Sequence, residues 1–368
     1  MNPLVAAVHL APVSLAVNPD LVVRGARGVH DRSDFLLVRV VASDGSEGYG
    51  EVSATALWSG EDGTSAEHFI RTRLAPAIIG QPLAPVGRLE MLMDRVLAGN
   101  PFTKAGVSTA LWDVFARTLD VPLAVALGGP YRDVVDIKLS LSGDGEALDD
   151  VLAAARAIGF GAFKVKVGLG VDDDVERVRR VREHVGPDAF VGVDANGGWT
   201  RAEAMRAIPR IAETGAAFVE QPVAPADLEG LRHSRSLGLP VVADESVFGM
   251  SDLTRLVNAD AADCVSLYIG KSGGPGRALA MGRLAADFGL EVILGSNGEF
   301  GLGAAAQLHV ACALPCLSDS FPSDIIGAHY YREDILEYPL DSDGRVVRLG
   351  DGPGLGVVPR PDLIKELR

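Results

Sequence analysis

The chain has 368 residues, 48% hydrophobic and 23% charged, a balance that suits a globular protein and excludes a disordered chain, a coiled coil or a disulfide-stapled miniprotein. Its 34 basic and 49 acidic side chains leave a formal net charge of −15. That field repels phosphate backbones and excludes nucleic acid as a partner, so an anionic small substrate would need a locally positive site or a metal.

The N-terminal stretch from Leu4 to Val17 is apolar but lacks a basic flank and is broken by Pro3, Pro12 and Pro19, so it does not read as a targeting signal. No apolar run approaches the ~20 residues of a membrane span. Cys264, Cys312 and Cys316 cannot all pair within one chain, which fits a reduced, cytoplasmic protein with no membrane partner. Residues 1–128 read as an α+β domain. Phe35–Val41 is a strand, Asp44-Gly45 a turn and Gly48-Tyr-Gly-Glu51 the start of the return strand. Ala105–Thr118 has a helical stripe of Val107, Ala110, Leu111, Val114 and Phe115. Leu127-Gly-Gly-Pro130 then breaks the chain.

From there to residue 325 short apolar strands alternate with amphipathic helices. Strands are expected at Ile137–Leu141, Ala162–Val167, Phe190–Asp194, Ala217–Glu220, Val241–Asp244, Cys264–Ile269 and Glu291–Leu294. Helices fall at Ala147–Ile158, Asp173–Val185, Arg201–Thr214 and Gly276–Phe288. This order implies a parallel sheet with its helices outside. A polar residue closes each strand, at Ser142, Lys166, Asp194, Glu220, Asp244, Lys271, Glu299 and Asp324, with spacings of 24 to 28 residues. Such regular stations fit a (β/α) barrel, whose C-terminal rim carries the chemistry. An open doubly wound sheet is the alternative, but its glycine-rich fingerprint is missing: Gly168-Leu-Gly170 runs into Asp172-Asp-Asp174. Residues 326–368 hold no complete βα unit and are expected to return to the N-terminal domain.

The chain makes its positive charge from 28 arginines and only six lysines: Lys104, Lys138, Lys164, Lys166, Lys271 and Lys365. Lysine, unlike arginine, can give up its proton, so each lysine raises a question of chemistry. In Phe163-Lys164-Val165-Lys166-Val167 the alternation puts both ammonium groups on one face. Burial and the neighbouring cation are expected to lower a lysine pKa toward that of a usable base. The bland alternative is a surface strand with two solvated lysines.

Asp194, Glu220 and Asp244 end three successive strands, and carboxylates converging on one rim repel unless a cation lies between them. All-oxygen donors select Mg²⁺, or less often Mn²⁺. Each alone would pass for a helix cap. Lys271 ends the sixth strand, opposite the second, so a ligand between them would face Lys166 on one side and Lys271 on the other.

The ordered set Lys164-x-Lys166, Asp194-x-Asn196, Glu220-Gln-Pro222, Asp244-Glu245 and Lys271-x-Gly-Gly274 resembles the enolase superfamily, and within it the muconate lactonizing enzyme subgroup. The resemblance spans the chain. It implies a (β/α)7β modified TIM barrel under an α+β capping domain built from both termini. It also implies Mg²⁺ on Asp194, Glu220 and Asp244, supported by Asn196 and Glu245. Lys166 and Lys271 become the acid/base pair, with Lys164 lowering the pKa of Lys166. The implied reaction is isomerisation of a small carboxylate through an enolate, by a homo-oligomer.

Departures narrow the reading. The related subgroups with a histidine at the seventh strand end are disfavoured, because none of the seven histidines sits at a strand end and that station reads Gly295-Ser-Asn-Gly-Glu299. Asp324-Ile-Ile326 keeps one acid where dipeptide epimerases carry two, a pattern closer to cycloisomerases. Asn297, Glu299 and Asp324 are therefore candidate substrate contacts, and the polar Ser296-Asn297-Gly298 segment would serve equally well to touch the substrate or to cap a helix. In the capping loops, Arg24 or Arg27 would meet a distal carboxylate, and Trp58 would pack an apolar or cationic substrate end. Each has a structural alternative, a solvated arginine or a buried aromatic. His309, Cys312 and Cys316 have a helical spacing that invites zinc, but a fourth ligand is missing and a small apolar role for the cysteines suffices. Cycloisomerisation of a muconate-type diacid leads, ahead of racemisation or epimerisation of N-acylated amino acids and of an o-succinylbenzoate-type elimination. A binding module without catalysis would be expected to have lost a ligand or a lysine, and none is missing.

Overall fold

The computed structural model describes residues 2–26 and 28–367. Its N-terminal part supplies five strands: β1 (Val5–Ala16), β2 (Val23–Gly25), β3 (Gly28–His30), β4 (Arg32–Ala42) and β5 (Glu47–Val52). β1, β4 and β5 form an antiparallel sheet with β4 in the middle, and β2 and β3 form a separate hairpin. The nearly continuous apolar run of β4 has two destinations, because successive side chains point to opposite faces. Leu36, Val38 and Val40 join the capping core with Leu111 and Val114, whereas Phe35 and Leu37 join the core shared with the barrel. Helix Pro101–Thr118 lies on the sheet so closely that glycine is required at the contact. A Cβ on Gly50 would sit 2.1 Å from the Gly106 carbonyl oxygen.

Next come β6 (Val134–Asp136), β7 (Leu139–Leu141), β8 (Ala162–Lys166), β9 (Phe190–Asp194), β10 (Val219–Glu220), β11 (Val241–Ala243), β12 (Cys264–Leu267) and β13 (Glu291–Leu294). β7 to β13 form a curled parallel sheet in chain order. Helices at Gly145–Ile158, Val171–Val185, Arg201–Ala212, Leu228–Ser234, Met250–Asn258, Pro275–Asp287 and Gly301–Ala313 pack outside it. An extended segment at Ser323–Asp324 fills the eighth position. Its Asp324 N–H donates to Leu294 O at 2.7 Å, its Ser323 carbonyl accepts from Lys138 N at 3.0 Å, and Ser323 bridges Ile137. This is the (β/α)7β barrel of the sequence reading, closed by a bridge instead of a full strand.

Two expected strands are shorter than read. The strand expected at Ile137–Leu141 shortens to β7 with Ile137 as an isolated bridge to Ser323, and just before it β6 turns aside to pair antiparallel with β14 (Val346–Arg348). The sixth barrel strand stops at Leu267, and a one-turn helix, Ile269–Ser272, carries Lys271. Residues after Gly327 return to the N-terminal part. Arg332 N donates to Ala16 O at 3.2 Å, and Leu355 N donates to the buried Asp113 carboxylate at 2.6 Å. Helix Gly301–Ala313 is buried on nearly all sides. There the His309 Nδ1 accepts from Ala124 N at 3.0 Å and burial pushes its pKa down to about 4, the state of a core histidine. Among the described residues no helix is long and apolar enough to cross a membrane.

Candidate active site

β8, β9 and β10 are in a register that sets Lys166 beside Asp194 and Asp194 beside Glu220. Their side chains thus form one row at the C-terminal rim, as period-two alternation on parallel strands requires. Phe163, Val165 and Val167 fill the core on the other side. Lys164, one pleat deeper, donates to both Glu220 oxygens at 3.0 and 3.1 Å and to Asp324 Oδ2 at 3.3 Å. Burial opposes its charge, but the carboxylates of Asp324, Glu220, Asp194 and Asp244 outweigh burial and hold Lys164 well above its ordinary pKa. The expected lowering therefore does not hold for Lys164, because its neighbours are mostly anions.

Two residues just beyond these carboxylates take left-handed backbone angles, Asn196 two positions after Asp194 with φ 45° and Gln221 directly after Glu220 with φ 36°. Each turn folds a side-chain amide back into the rim. Asn196 accepts from Lys166 Nζ at 2.8 Å and donates to Glu245 Oε1 at 3.1 Å. Gln221 accepts from the backbone N–H groups of Asp244 and Ser246 at 3.1 Å.

The two lysines assigned to proton transfer differ in access. Lys166 donates to Asp194 Oδ2 at 2.6 Å, keeps 13% of its side chain exposed and lines the main cavity. Lys271 is 1% exposed. All its ammonium protons are taken, by Asp244 O at 2.9 Å, Ser266 O at 2.8 Å and Asp244 Oδ1. Its Nζ lies 4.0 Å from the Tyr268 ring centre, with the Trp58 and Phe248 rings at 5.8 and 5.9 Å. Tyr268, not Lys271, forms the cavity wall, and its hydroxyl donates to Asp244 Oδ2 at 2.8 Å.

The cavity holds about 310 Å³ between the barrel rim and the cap. Its floor is Lys164, Lys166, Asp194, Asn196 and Asp324; its roof comes from Val23, Gly25, Val29 and His30 of the β2–β3 hairpin and from Leu57 and Trp58. Ser142 secures the hairpin, accepting from Arg24 N at 2.7 Å and donating to Val22 O at 3.2 Å. Trp58 stacks on Tyr268 with ring centres 5.3 Å apart and planes 16° apart.

Other sequence candidates fall elsewhere. Arg24 is exposed and off the cavity wall, because its strand neighbours Val23 and Gly25 face inward. Arg27 lies outside the described residues. Asn297 does line the cavity and donates to Ser53 O at 2.7 Å. Glu299 does not. It is buried behind the loop, accepting from Asn297 N at 3.1 Å, from Gln307 Nε2 at 3.2 Å and from Ser296 Oγ.

The wall residues Tyr268 and Tyr330 were not singled out from sequence, whereas Ser296 of the Ser296-Asn297-Gly298 segment does line the cavity. His30, one of the seven histidines, ends β3 and enters the wall, joined to Ser33 Oγ at 2.7 Å and Tyr330 OH at 3.1 Å. The absence of a strand-end histidine thus holds for the barrel and not for the capping hairpin. Alternating polarity on so short a strand gave no signal for His30.

As they stand, no group of three His, Cys, Asp or Glu side chains among the described residues is arranged to hold a metal ion. Instead each of Asp194, Glu220 and Asp244 accepts from a lysine ammonium. The donor chemistry nevertheless fits a hard divalent cation. All three are buried carboxylates on one rim. Burial, opposed by Lys164 and reinforced by Asp194, Asp244 and Asp324, pushes the Glu220 carboxyl up to about 8, the mark of a cluster short of positive charge.

Comparison with known proteins agrees with this geometry. The mandelate racemase / muconate lactonizing enzyme N-terminal domain matches residues 9–128, and the enolase C-terminal domain-like family matches residues 146–363. The N-succinyl-L-Arg/Lys racemase of Bacillus cereus is 30% identical over 99% of this chain and 97% of its own. Muconate cycloisomerase 1 of Rhodococcus opacus is 32% identical over 90% of each. The muconate lactonizing enzyme of Pseudomonas fluorescens, solved with muconolactone, superposes with a TM-score of 0.93 at 27% identity over the whole of both chains.

Proposed function

The chain belongs to the mandelate racemase / muconate lactonizing enzyme family, and on that premise we propose that it is a Mg²⁺-dependent cycloisomerase of a muconate-type diacid. It is an isomerase of the muconate lactonizing subgroup of the enolase superfamily, a family whose members imply a divalent metal. The observation that favours cycloisomerisation is the unequal access of the two lysines. Lys166 lines the cavity, and Lys271 is sealed behind Tyr268. Closing or opening a lactone needs one proton added to or taken from the carbon beside a carboxylate, which a single lysine performs. Racemisation needs a second group of equal access on the other face.

Asp194, Glu220 and Asp244 would hold the ion, with Asn196 and Glu245 supporting them. When bound, it supplies positive charge for the substrate carboxylate and for the charge that develops beside it during proton transfer. Lys166 then holds or releases the proton at its Nζ, aimed by Asn196 Oδ1. Lys164 keeps a fixed positive charge beneath it, and Asp324 and Asn297 face the substrate from the floor and the loop. Lys271 serves as a fixed cation and Glu299 as the brace of the Ser296–Gly298 loop. The β2–β3 hairpin and Trp58 exclude water. The three cysteines are free and two are buried, which supports a cytoplasmic setting.

Racemisation of an N-succinyl amino acid is the second reading, supported by the near full-length similarity to the Bacillus cereus enzyme. The test is incubation with Mg²⁺ and either cis,cis-muconate or N-succinyl amino acids, followed by lactone detection and chiral chromatography. Lactone supports the first reading. Inversion without lactone replaces it with the second.

A further inference from the structure

Of the lysines inside the barrel, Lys138 has been given no role so far. Lys138 lies between β6 and β7, inside the barrel beneath the cavity floor, and is fully buried. Its Nζ donates to Pro322 O at 2.5 Å and to Asp324 Oδ2 at 2.9 Å, over the Phe218 ring at 5.8 Å. An ammonium so far from water is tolerated only beside an anion that offsets its desolvation. Lys138 and Lys164 take the same Asp324 oxygen, at 2.9 and 3.3 Å. Among the described residues nothing bonds to Asp324 Oδ1, and Asp324 lines the cavity floor.

We propose that Lys138 is a positioning residue that clamps Asp324 from below, so that Asp324 Oδ1 faces the cavity as a fixed acceptor for an N–H or O–H donor of the substrate. The clamp also divides the buried charge. Lys138 offsets the Asp324 charge from the bottom of the barrel, so that Asp324 does not draw on Lys164 alone, the lysine that also holds Glu220. The lysine reaches its partner because an unbranched side chain can run along the barrel interior from the first strand to the closing segment, where the Lys138 N–H already pairs with Ser323 O at 3.0 Å. A shorter or branched residue at that position would leave Asp324 tied to Lys164 alone. The inference rests on the cavity being the substrate site and on a substrate that carries a donor, as the N-succinyl amino acid of the second reading does, so the KM arm is run with that class of substrate.

The test is a cycle of Lys138→Met, Asp324→Asn and the double variant, with the crystal structure of each. Lys138→Met is expected to turn the Asp324 carboxylate away from the cavity, toward Lys164. It should raise KM about tenfold while kcat stays within about threefold, as loss of a binding contact does. Adding Lys138→Met to Asp324→Asn should change KM no further, whereas a merely structural lysine would act independently of Asp324. If Lys138→Met does not fold, the double variant, which removes both buried charges, keeps the cycle readable: it should match Asp324→Asn in KM. Additive effects on KM, or an Asp324 carboxylate unmoved in the Lys138→Met structure, would overturn the proposal. The structural arm needs no turnover, so a failure to find a substrate would count against the reaction and not against the clamp.

Discussion

Lys166 and Asp194 stand opposite each other in register on adjacent strands, with Lys166 Nζ donating to Asp194 Oδ2 at 2.6 Å. The contact ties the proposed proton carrier to a carboxylate of the proposed metal set, so the cation site and the acid/base group share one wall. It also explains why position 166 is lysine: arginine would match the carboxylate but could not transfer a proton.

Replacing Lys166 by alanine tests that assignment. Turnover should fall by about 10²–10⁴-fold or more, the range for losing a positioned acid or base. The melting temperature should barely move, since the side chain is partly exposed at the rim. Steady-state kinetics with thermal unfolding decide it, and near-normal turnover of a folded variant would remove Lys166 from the reaction.

Lys271→Met should behave differently in the metal-free protein. It leaves Asp244 buried at 1% exposure without its ammonium partner, a loss of about 3–5 kcal/mol for a broken buried pair. Urea unfolding in the presence of a chelator should show Lys271→Met well below Lys166→Met. Equal stabilities would mean that the seal around Lys271 is looser than its contacts indicate.

A pH effect follows from Glu51, far from the proposed metal carboxylates. Burial pushes its carboxyl from 4.5 up to about 8, although Ser53 Oγ and the N–H groups of Phe300 and Gly303 donate to it. An acid whose folded pKa is raised holds its proton in the folded state while the unfolded chain ionises. Its contribution is full below about 4.5 and is lost as the pH climbs toward about 8. Denaturant unfolding at pH 5 and pH 8 should show wild type losing more stability than Glu51→Gln over that interval. Identical losses would show that Glu51 does not titrate there.

Trp58 roofs the cavity by stacking on Tyr268 at 5.3 Å. Trp58→Ala opens that wall and should raise KM about tenfold for the preferred substrate, with bulkier carboxylates gaining relative to it, as loss of aromatic packing permits. An unchanged preference across a carboxylate panel would make the ring a structural contact only.

Much of this architecture is legible in the chain because each βα unit ends in a polar rim residue. Lys166, Asp194 and Glu220 were locatable from strand period and spacing, and the register then sets them in one row. Legibility ends where neighbours in space come from distant segments. Tyr268 reads as one more apolar strand residue, although its hydroxyl holds Asp244. Arg24 and Val23 differ by one position on a three-residue strand, and only the pairing of β2 with β3 decides which of them faces inward. Glu299 has the chemistry of a ligand contact, but the loop it braces stands between it and the cavity. Lys138 stood out through the scarcity of lysine, while its partner Asp324 lies 186 residues away and is met only when the barrel closes.

The most direct test of the account is mass spectrometry of a muconate turned over in D₂O by the Mg²⁺-loaded protein, wild type beside Lys166→Ala. The account predicts one deuterium on the exocyclic carbon next to the free carboxylate of the lactone with wild type and none with the variant. Deuterium delivered equally well without Lys166 would contradict it.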